Sequence, residues 1–406
     1  MLKVAHIVRR FTFDEWGGTE TVVWNTVTRQ LKRGVQADIL ATAALSKPGD
    51  DERDGVSIRR FPYRYPYFPM PASTRLALDK KGGSPLCPAM FRAICDGGYD
   101  LLHIHAAGRL AQRAVATARA LGIPCIMSIH GGSEDVPPEE LRRMMEPVKG
   151  KFNYGGILDR LLKLRFDPLE RVNAVICIGR VEEERLRRKY PEQRIIYMPN
   201  GIDCAKYQRP AVTHPKAEWG IPADRKLMVC ISRIDYQKNQ KALVPLLAAH
   251  PDAHLLLIGP ATAEWYRDEL LSEVKRLGVQ ERFTYIPGLP PDDPRLVDVL
   301  HEAYCFILPS VHEPFGIVAL EAWAAGLPVI ASDAGGLKDF IHDGVNGLMF
   351  PSGDAKALDV AYQRLDGDEA LRKRLSEQAL VDVQRFSWDS LADELLGVYQ
   401  SLLKRS

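Results

Sequence analysis

Two carboxylates, Glu313 and Glu321, lie in the run His312-Glu313-Pro314-Phe315-Gly316-Ile317-Val318-Ala319-Leu320-Glu321. An apolar strand pattern, Cys305 to Pro309, precedes it, and another opens at Pro328. Between them the spacing predicts a helix with Pro314 at its first position and Gly326 as its C-cap. The amides of Phe315, Gly316, Ile317 and Val318 then fall in the first turn, where N–H groups have no intrahelical acceptor. Such a turn attracts anions, helped by the helix dipole. Gly316 lets a ligand approach the backbone. Glu313 before the turn and Glu321 within the helix can each accept from a hydroxyl. A phosphate with an attached sugar satisfies both kinds of group. A plain strand–helix–strand unit with two solvated glutamates would have to produce all five residue types together by accident.

Two cations belong to the same half of the chain. Arg233 and Lys238 follow the strand pattern Lys226 to Ile231 in Ser232-Arg233-Ile234-Asp235-Tyr236-Gln237-Lys238-Asn239-Gln240. An arginine forks onto phosphate oxygens while a lysine acts as a point charge, so the pair suits a diphosphate. The N-terminal half offers a glycine pair, Gly17 and Gly18, between the strand Val4 to Val8 and a helix from Thr19 to Lys32. It does not match G-x-G-x-x-G, so a dinucleotide site is not supported. By itself it reads equally as a glycine turn with Thr19 as N-cap. Two further strands, Asp100 to His105 and Pro124 to Ile129, each end in a histidine, His105 and His130. One such histidine is usually structural; two at the carboxyl edge of a sheet make a candidate site.

Glu313 and Glu321 have the spacing of the E-x7-E signature, and the chain resembles the retaining GT-B glycosyltransferases of group 1 and family 4. Gly17-Gly18 resembles that family's donor-diphosphate loop. His105 and His130 resemble its histidines near the transferred sugar, with His105 matching the better known. Arg233 and Lys238 match its Arg-Leu-x-x-x-Lys-Gly motif, with Ile234 in place of Leu and Asn239 in place of Gly. Pro199-Asn200-Gly201-Ile202-Asp203 looks like its domain junction. The resemblance implies two Rossmann-like β/α/β domains facing across a cleft. Residues 1–199 would form the acceptor-side domain, joined by a C-terminal helix over 388–406, and residues 200–387 the donor domain.

The elements agree with that α/β class. At 406 residues the chain is long for one core, and strands alternate with helices ending in glycine at Gly34, Gly122 and Gly278. A charged fraction of 26% beside 46% hydrophobic residues describes a globular protein, and a net charge of +2 gives no reason to expect nucleic acid. The seven cysteines are scattered without a C-x-x-C pair, which speaks against a zinc site; Cys125, Cys177, Cys230 and Cys305 fall in strand patterns and read as buried residues of a reducing cytoplasm. The N-terminus runs straight into a strand. The expected location is cytoplasmic, with peripheral contact with an anionic membrane open for the basic, apolar-interleaved stretch 141–171 and for the run Arg59 to Phe68. In 141–171 that composition is more commonly a solvated helix face. The run Arg59 to Phe68, also basic and aromatic, reads as a proline-broken strand and loop on the domain surface. Lys80 to Pro85 reads as a flexible loop. The sequences 331–336 and 343–350 complete the family pattern but read as turn chemistry.

The resemblance implies sugar transfer from a nucleotide-diphosphate sugar to a sugar, lipid or small-molecule hydroxyl. No cofactor or metal is expected: the chain shows no convincing Asp-x-Asp metal site, and Asp292-Asp293 sits in a proline-flanked loop. Arg233, Lys238, Gly18 and the helix start would supply the positive potential. His105 would hold the sugar, Glu313 a sugar hydroxyl and Glu321 the ribose. A sugar-nucleotide epimerase or glycoside phosphorylase on the same architecture stays open as an alternative.

Overall fold

The computed structural model describes residues 1–14, 17–130, 146–290 and 292–404. The chain forms two compact units, Met1–Pro199 with Trp388–Ser406, and Asn200–Ser387.

The first unit is an eight-stranded sheet. Its strands are β1 (Lys3–Arg10), β2 (Gln36–Thr42), β3 (Gly49–Arg53), β4 (Val56–Phe61), β6 (Leu101–Ile104), β7 (Cys125–Ile129), β9 (Ala174–Cys177) and β10 (Ile195–Tyr197), in the order β10-β9-β7-β6-β1-β2-β4-β3. All neighbours run parallel except the β3 edge. A short antiparallel pair, β5 (Tyr67–Phe68) with β8 (Phe152–Asn153), lies apart. The buried strands read as unbroken apolar runs because helices cover both faces of a parallel sheet. The strand order reverses between β1 and β6, and the carboxyl ends of those strands are where such sheets take ligands. The helix Trp388–Leu403 closes this unit. Its fully buried Tyr399, with Leu391, Leu395 and Leu402, packs on Val4, Leu101 and Ile126. Each such apolar side chain contributes about 1.5–3 kcal/mol.

The second unit has six parallel strands, β11 (Lys226–Ile231), β12 (Ala253–Ile258), β13 (Phe283–Ile286), β14 (Cys305–Leu308), β15 (Val329–Ser332) and β16 (Leu348–Phe350), in the order β13-β12-β11-β14-β15-β16. Here the order reverses between β11 and β14. The loops leaving those two strands carry Arg233 and Lys238 on one side and Glu313 on the other.

Several expectations change. The helix after Gly17 begins at Gly18, and Gly17 is its extended N-cap at φ −143°, so Thr19 is not the cap. Lys80 and Lys81 end a helix, Ala72–Lys81, rather than opening a loop. That helix, the helix Pro88–Asp96 and the exposed β3 edge have weak sequence signals. Within the basic-aromatic run, Tyr63 and Tyr65 are buried and donate to Asp79 at 2.6 and 2.9 Å, which makes the run part of the domain's fabric. Part of the 141–171 stretch, together with Trp16, Gly131 and Gly132, lies outside the described residues. Within the remainder, the helix Gly155–Leu161 leaves Ile157 and Leu161 exposed.

Candidate functional site

In the second unit, Glu313 is 6% exposed. Its Oε2 accepts from Lys238 Nζ at 2.6 Å and from Ser310 Oγ at 3.4 Å. Oε1 takes no hydrogen bond among the described residues. The two loops are also tied through their backbones, since the amide of Val311 donates to the carbonyl of Gln237 at 2.8 Å. Asp235 shapes the cation loop by accepting from the Gln237 amide at 3.0 Å and from Thr262 Oγ1 at 2.8 Å. Asn239 sits in the left-handed region at φ 53°. Asparagine tolerates that conformation, so it fills a position where the resembling motif has glycine. Arg233 is exposed, and its guanidinium has no partner among the described residues. Lys238 is therefore already neutralised by a carboxylate, while Arg233 is not.

The helix expected from Pro314 begins at Ile317 and runs to Ala324. Pro314 and Phe315 form a bend, and Gly316 is the N-cap at φ 94°. The chain needs this left-handed step to turn from β14 into the helix, so the proline precedes the helix instead of starting it. Ile317 and Val318 head the helix, and the Ala319 amide already donates to the Gly316 carbonyl at 2.9 Å. The N–H groups left without an intrahelical acceptor at this helix start are thus those of Ile317 and Val318, together with that of the Gly316 cap. Phe315 is 2% exposed and packs in the core, its ring centroid 5.2 Å from that of Phe340 in a tilted arrangement. Gly335 and Gly336 have a role that turn chemistry did not anticipate. The Gly336 amide donates to the Glu313 carbonyl at 2.9 Å, and a Cβ at either glycine would collide with the carbonyl of Glu313 or Pro314. They clamp the backbone that carries Glu313. Glu321 accepts from Tyr207; burial raises its carboxyl above the ordinary range, while Tyr207 and Lys206 act to lower it. Buried Asn346 donates to the Phe340 carbonyl at 3.0 Å and to Asp382 at 2.7 Å, a structural role.

In the first unit, Gly18 has open space where a Cβ would stand. The fold does not require glycine there, which leaves the space for a ligand. His105 lies at the end of β6 beside a cavity of about 470 Å³, also bounded by Arg9, Ser84 and Gly108. His105 and His130 are joined, Nδ1 to Nε2, at 2.9 Å. Sequence reasoning missed the rest of the network. His6 Nδ1 lies 3.0 Å from His105 Nε2, and His6 Nε2 lies 2.8 Å from Gln30 Oε1. Gln30 Nε2 donates to the Tyr399 hydroxyl at 3.1 Å. That hydroxyl lies 2.6 Å from His103 Nδ1, and His103 Nε2 lies 2.7 Å from Ser128 Oγ. Burial depresses all four histidines, His6 and His130 to about 4, His103 and His105 well below their usual value. The rings are neutral at neutral pH. The pairing His6 with His103 across β1 and β6 was the available signal, since both point to one face at the switch point. Among the described residues, His6, His103 and His105 also form a group able to converge on a metal, with ligand atoms within 4.8 Å of one another. All six of their ring nitrogens already face protein partners, so a metal would have to displace those hydrogen bonds.

Residues 16–206 match Glycosyltransferase Family 4, and residues 213–381 match Glycosyl transferases group 1. A D-inositol 3-phosphate glycosyltransferase of Nocardia farcinica is 27% identical over 95% of this chain and 85% of its own length. A GDP-mannose:cellobiosyl-diphosphopolyprenol alpha-mannosyltransferase of Komagataeibacter xylinus is 27% identical over 100% of this chain and 94% of its own length. Among solved structures, a sucrose-phosphate synthase of Thermosynechococcus elongatus superimposes with a TM-score of 0.75 at 22% identity, covering 100% of both chains. Anabaena HepE in complex with UDP does so at 0.73 and 19%, covering 99% of this chain and 100% of its own. No described helix is long and apolar enough to cross a membrane. The two matched families follow one another in the order of the two sheets and take in most of the chain, and the protein belongs to the GT-B glycosyltransferases.

Proposed function

We propose that this glycosyltransferase moves a sugar from a nucleotide-diphosphate sugar to a hydroxyl acceptor, with retention of anomeric configuration and without a metal. One observation carries the reading. Arg233, the Lys238–Glu313 pair and the Ile317 helix start meet at the strand-order reversal of the second sheet, each offering a different kind of contact. Arg233, free to fork, takes diphosphate oxygens, and the Ile317 and Val318 amides take a terminal oxygen. Glu313 Oε1 accepts from a hydroxyl of the sugar while Oε2 holds Lys238 against the departing phosphate. Glu321 accepts from the ribose. Gly17 and Gly18 admit the diphosphate to the first unit's backbone. His105 and His130 contact the transferred sugar, and the cavity beside His105 has the size for an acceptor sugar.

In the reaction the bond between the anomeric carbon and the phosphate oxygen breaks as the acceptor oxygen bonds to that carbon on the same face. The acceptor's proton passes to the departing phosphate oxygen. The chain's part is positional and electrostatic: preorganised donors at the oxygens where charge develops. Those donors supply the positive potential a metal gives elsewhere. Asp293 is already engaged by Arg295 at 2.7 Å. A thermal-shift panel of UDP-, GDP- and ADP-sugars tests the reading. A donor at a hundred times its Kd stabilises the folded state by about 2.7 kcal/mol. No shift with any donor, in wild type that is folded and monodisperse, contradicts it.

A further inference from the structure

The histidines of the first unit form one directed hydrogen-bond chain. Neutral imidazole has one N–H and one bare nitrogen, so each ring both donates and accepts. Gln30 fixes one end. Its Nε2 donates to Tyr399, which leaves Oε1 to accept from His6, so His6 carries its proton on Nε2. His6 Nδ1 is then bare and accepts from His105 Nε2–H. His105 Nδ1 is bare in turn and accepts from His130 Nε2–H. His130 Nδ1 is left as a bare acceptor, buried and without a partner among the described residues. On the other branch Tyr399 donates to His103 Nδ1, and His103 Nε2–H donates to Ser128. All four rings thereby hold the Nε2–H form, the one histidine intrinsically favours. Reversing the chain would put all four in the disfavoured form, which decides its direction.

We propose that Gln30 and Tyr399 are positioning residues that, through His6 and His105, lock His130 in the Nε2–H tautomer and present its Nδ1 as an acceptor for a ligand hydroxyl. The C-terminal helix thus sets the polarity of a site on β7 by way of β1 and β6. The ligand's identity rests on the glycosyltransferase reading; the tautomer does not. A sugar hydroxyl that donates is accepted, and a group that can only accept is refused, because bare nitrogen repels it.

Long-range proton–nitrogen NMR of the ¹⁵N-histidine-labelled full chain reads the tautomers directly. The expected result at neutral pH is Nε2–H with bare Nδ1 at His6, His103, His105 and His130. An Nδ1–H ring or an imidazolium at His130 overturns the proposal, whatever the enzyme turns over. The conservative Gln30→Glu separates the lock from a merely structural role. A carboxylate still accepts from His6, but it has no N–H for Tyr399, so Tyr399 must donate to it and accept from His103. His103 then switches to Nδ1–H while His130 does not. Four unchanged rings, or a switch at His130, would contradict the chain. Gln30→Met removes the anchor, and mixed tautomers at His130 are expected, with kcat/KM down about tenfold for the donor, the scale of one hydrogen bond. Against a donor whose contacting hydroxyl is replaced by fluorine, which cannot donate, the advantage of wild type over Gln30→Met should vanish or reverse. An equal loss on both donors would mean that Gln30 acts only through stability. If no nucleotide sugar is turned over, the function proposal fails and the NMR result still decides this one.

Discussion

Removing the Lys238 ammonium while leaving the Glu313 carboxylate in place tests the pair at the centre of the second unit. The two side chains are 14% and 8% exposed and 2.6 Å apart. Lys238→Met strands a carboxylate with only the 3.4 Å contact from Ser310. Breaking a buried pair on one side costs about 3–5 kcal/mol, and the partly accessible lysine puts this case near 3. For a unit of this size, each kcal/mol shifts the melting midpoint by about 2–4 °C, so a fall of roughly 6–12 °C is expected. The double variant Lys238→Met/Glu313→Gln has no stranded charge and should recover most of it, leaving a coupling of about 2 kcal/mol. Thermal and urea unfolding of wild type, both single variants and the double variant complete the cycle. Additive losses, or a Lys238→Met protein within about 0.5 kcal/mol of wild type, would refute the claim that Glu313 is held by this lysine.

Arg233→Ala should leave the melting point unchanged, because the side chain is exposed, while lowering kcat/KM about a hundredfold or more through loss of a charge-assisted fork; steady-state kinetics beside a melt separates the two. Glu321→Gln should raise stability at pH 8. Burial raises the folded carboxyl, so the charged form is penalised above the folded value, and the gain should vanish as pH falls to the unfolded value of about 4.3; melts across pH 4–8 check the sign. Gly335→Ala should fail to fold or melt far lower, since its φ of 52° and the Glu313 carbonyl leave no room, whereas Gly18→Ala should fold normally and lose transfer activity, as paired melts and assays would show.

The parts of the site that were legible in sequence are those where a few adjacent residues make a function. Glu313, Arg233 and Lys238 announce themselves because a strand, a polar turn and a helix follow in order, which also forecast two parallel α/β sheets. The helix start was misplaced by three residues because proline and glycine both signal a helix entrance, and only the left-handed Gly316 settles which one acts. Gly335 and Gly336 looked like turn residues because their real constraint, the carbonyls of Glu313 and Pro314, comes from another loop. The histidine chain was half visible. His105 and His130 end neighbouring strands, but Gln30 and Tyr399 are 369 positions apart, and no local pattern joins them.

The central claim is retaining, metal-independent transfer from a nucleotide sugar. The direct measurement is an NMR time course of the wild-type enzyme with an α-linked nucleotide sugar in excess chelator, reading the anomer of the first product before mutarotation. The account predicts an α product formed at the same rate with and without chelator. A β product, or turnover that appears only when a divalent cation is restored, would contradict it.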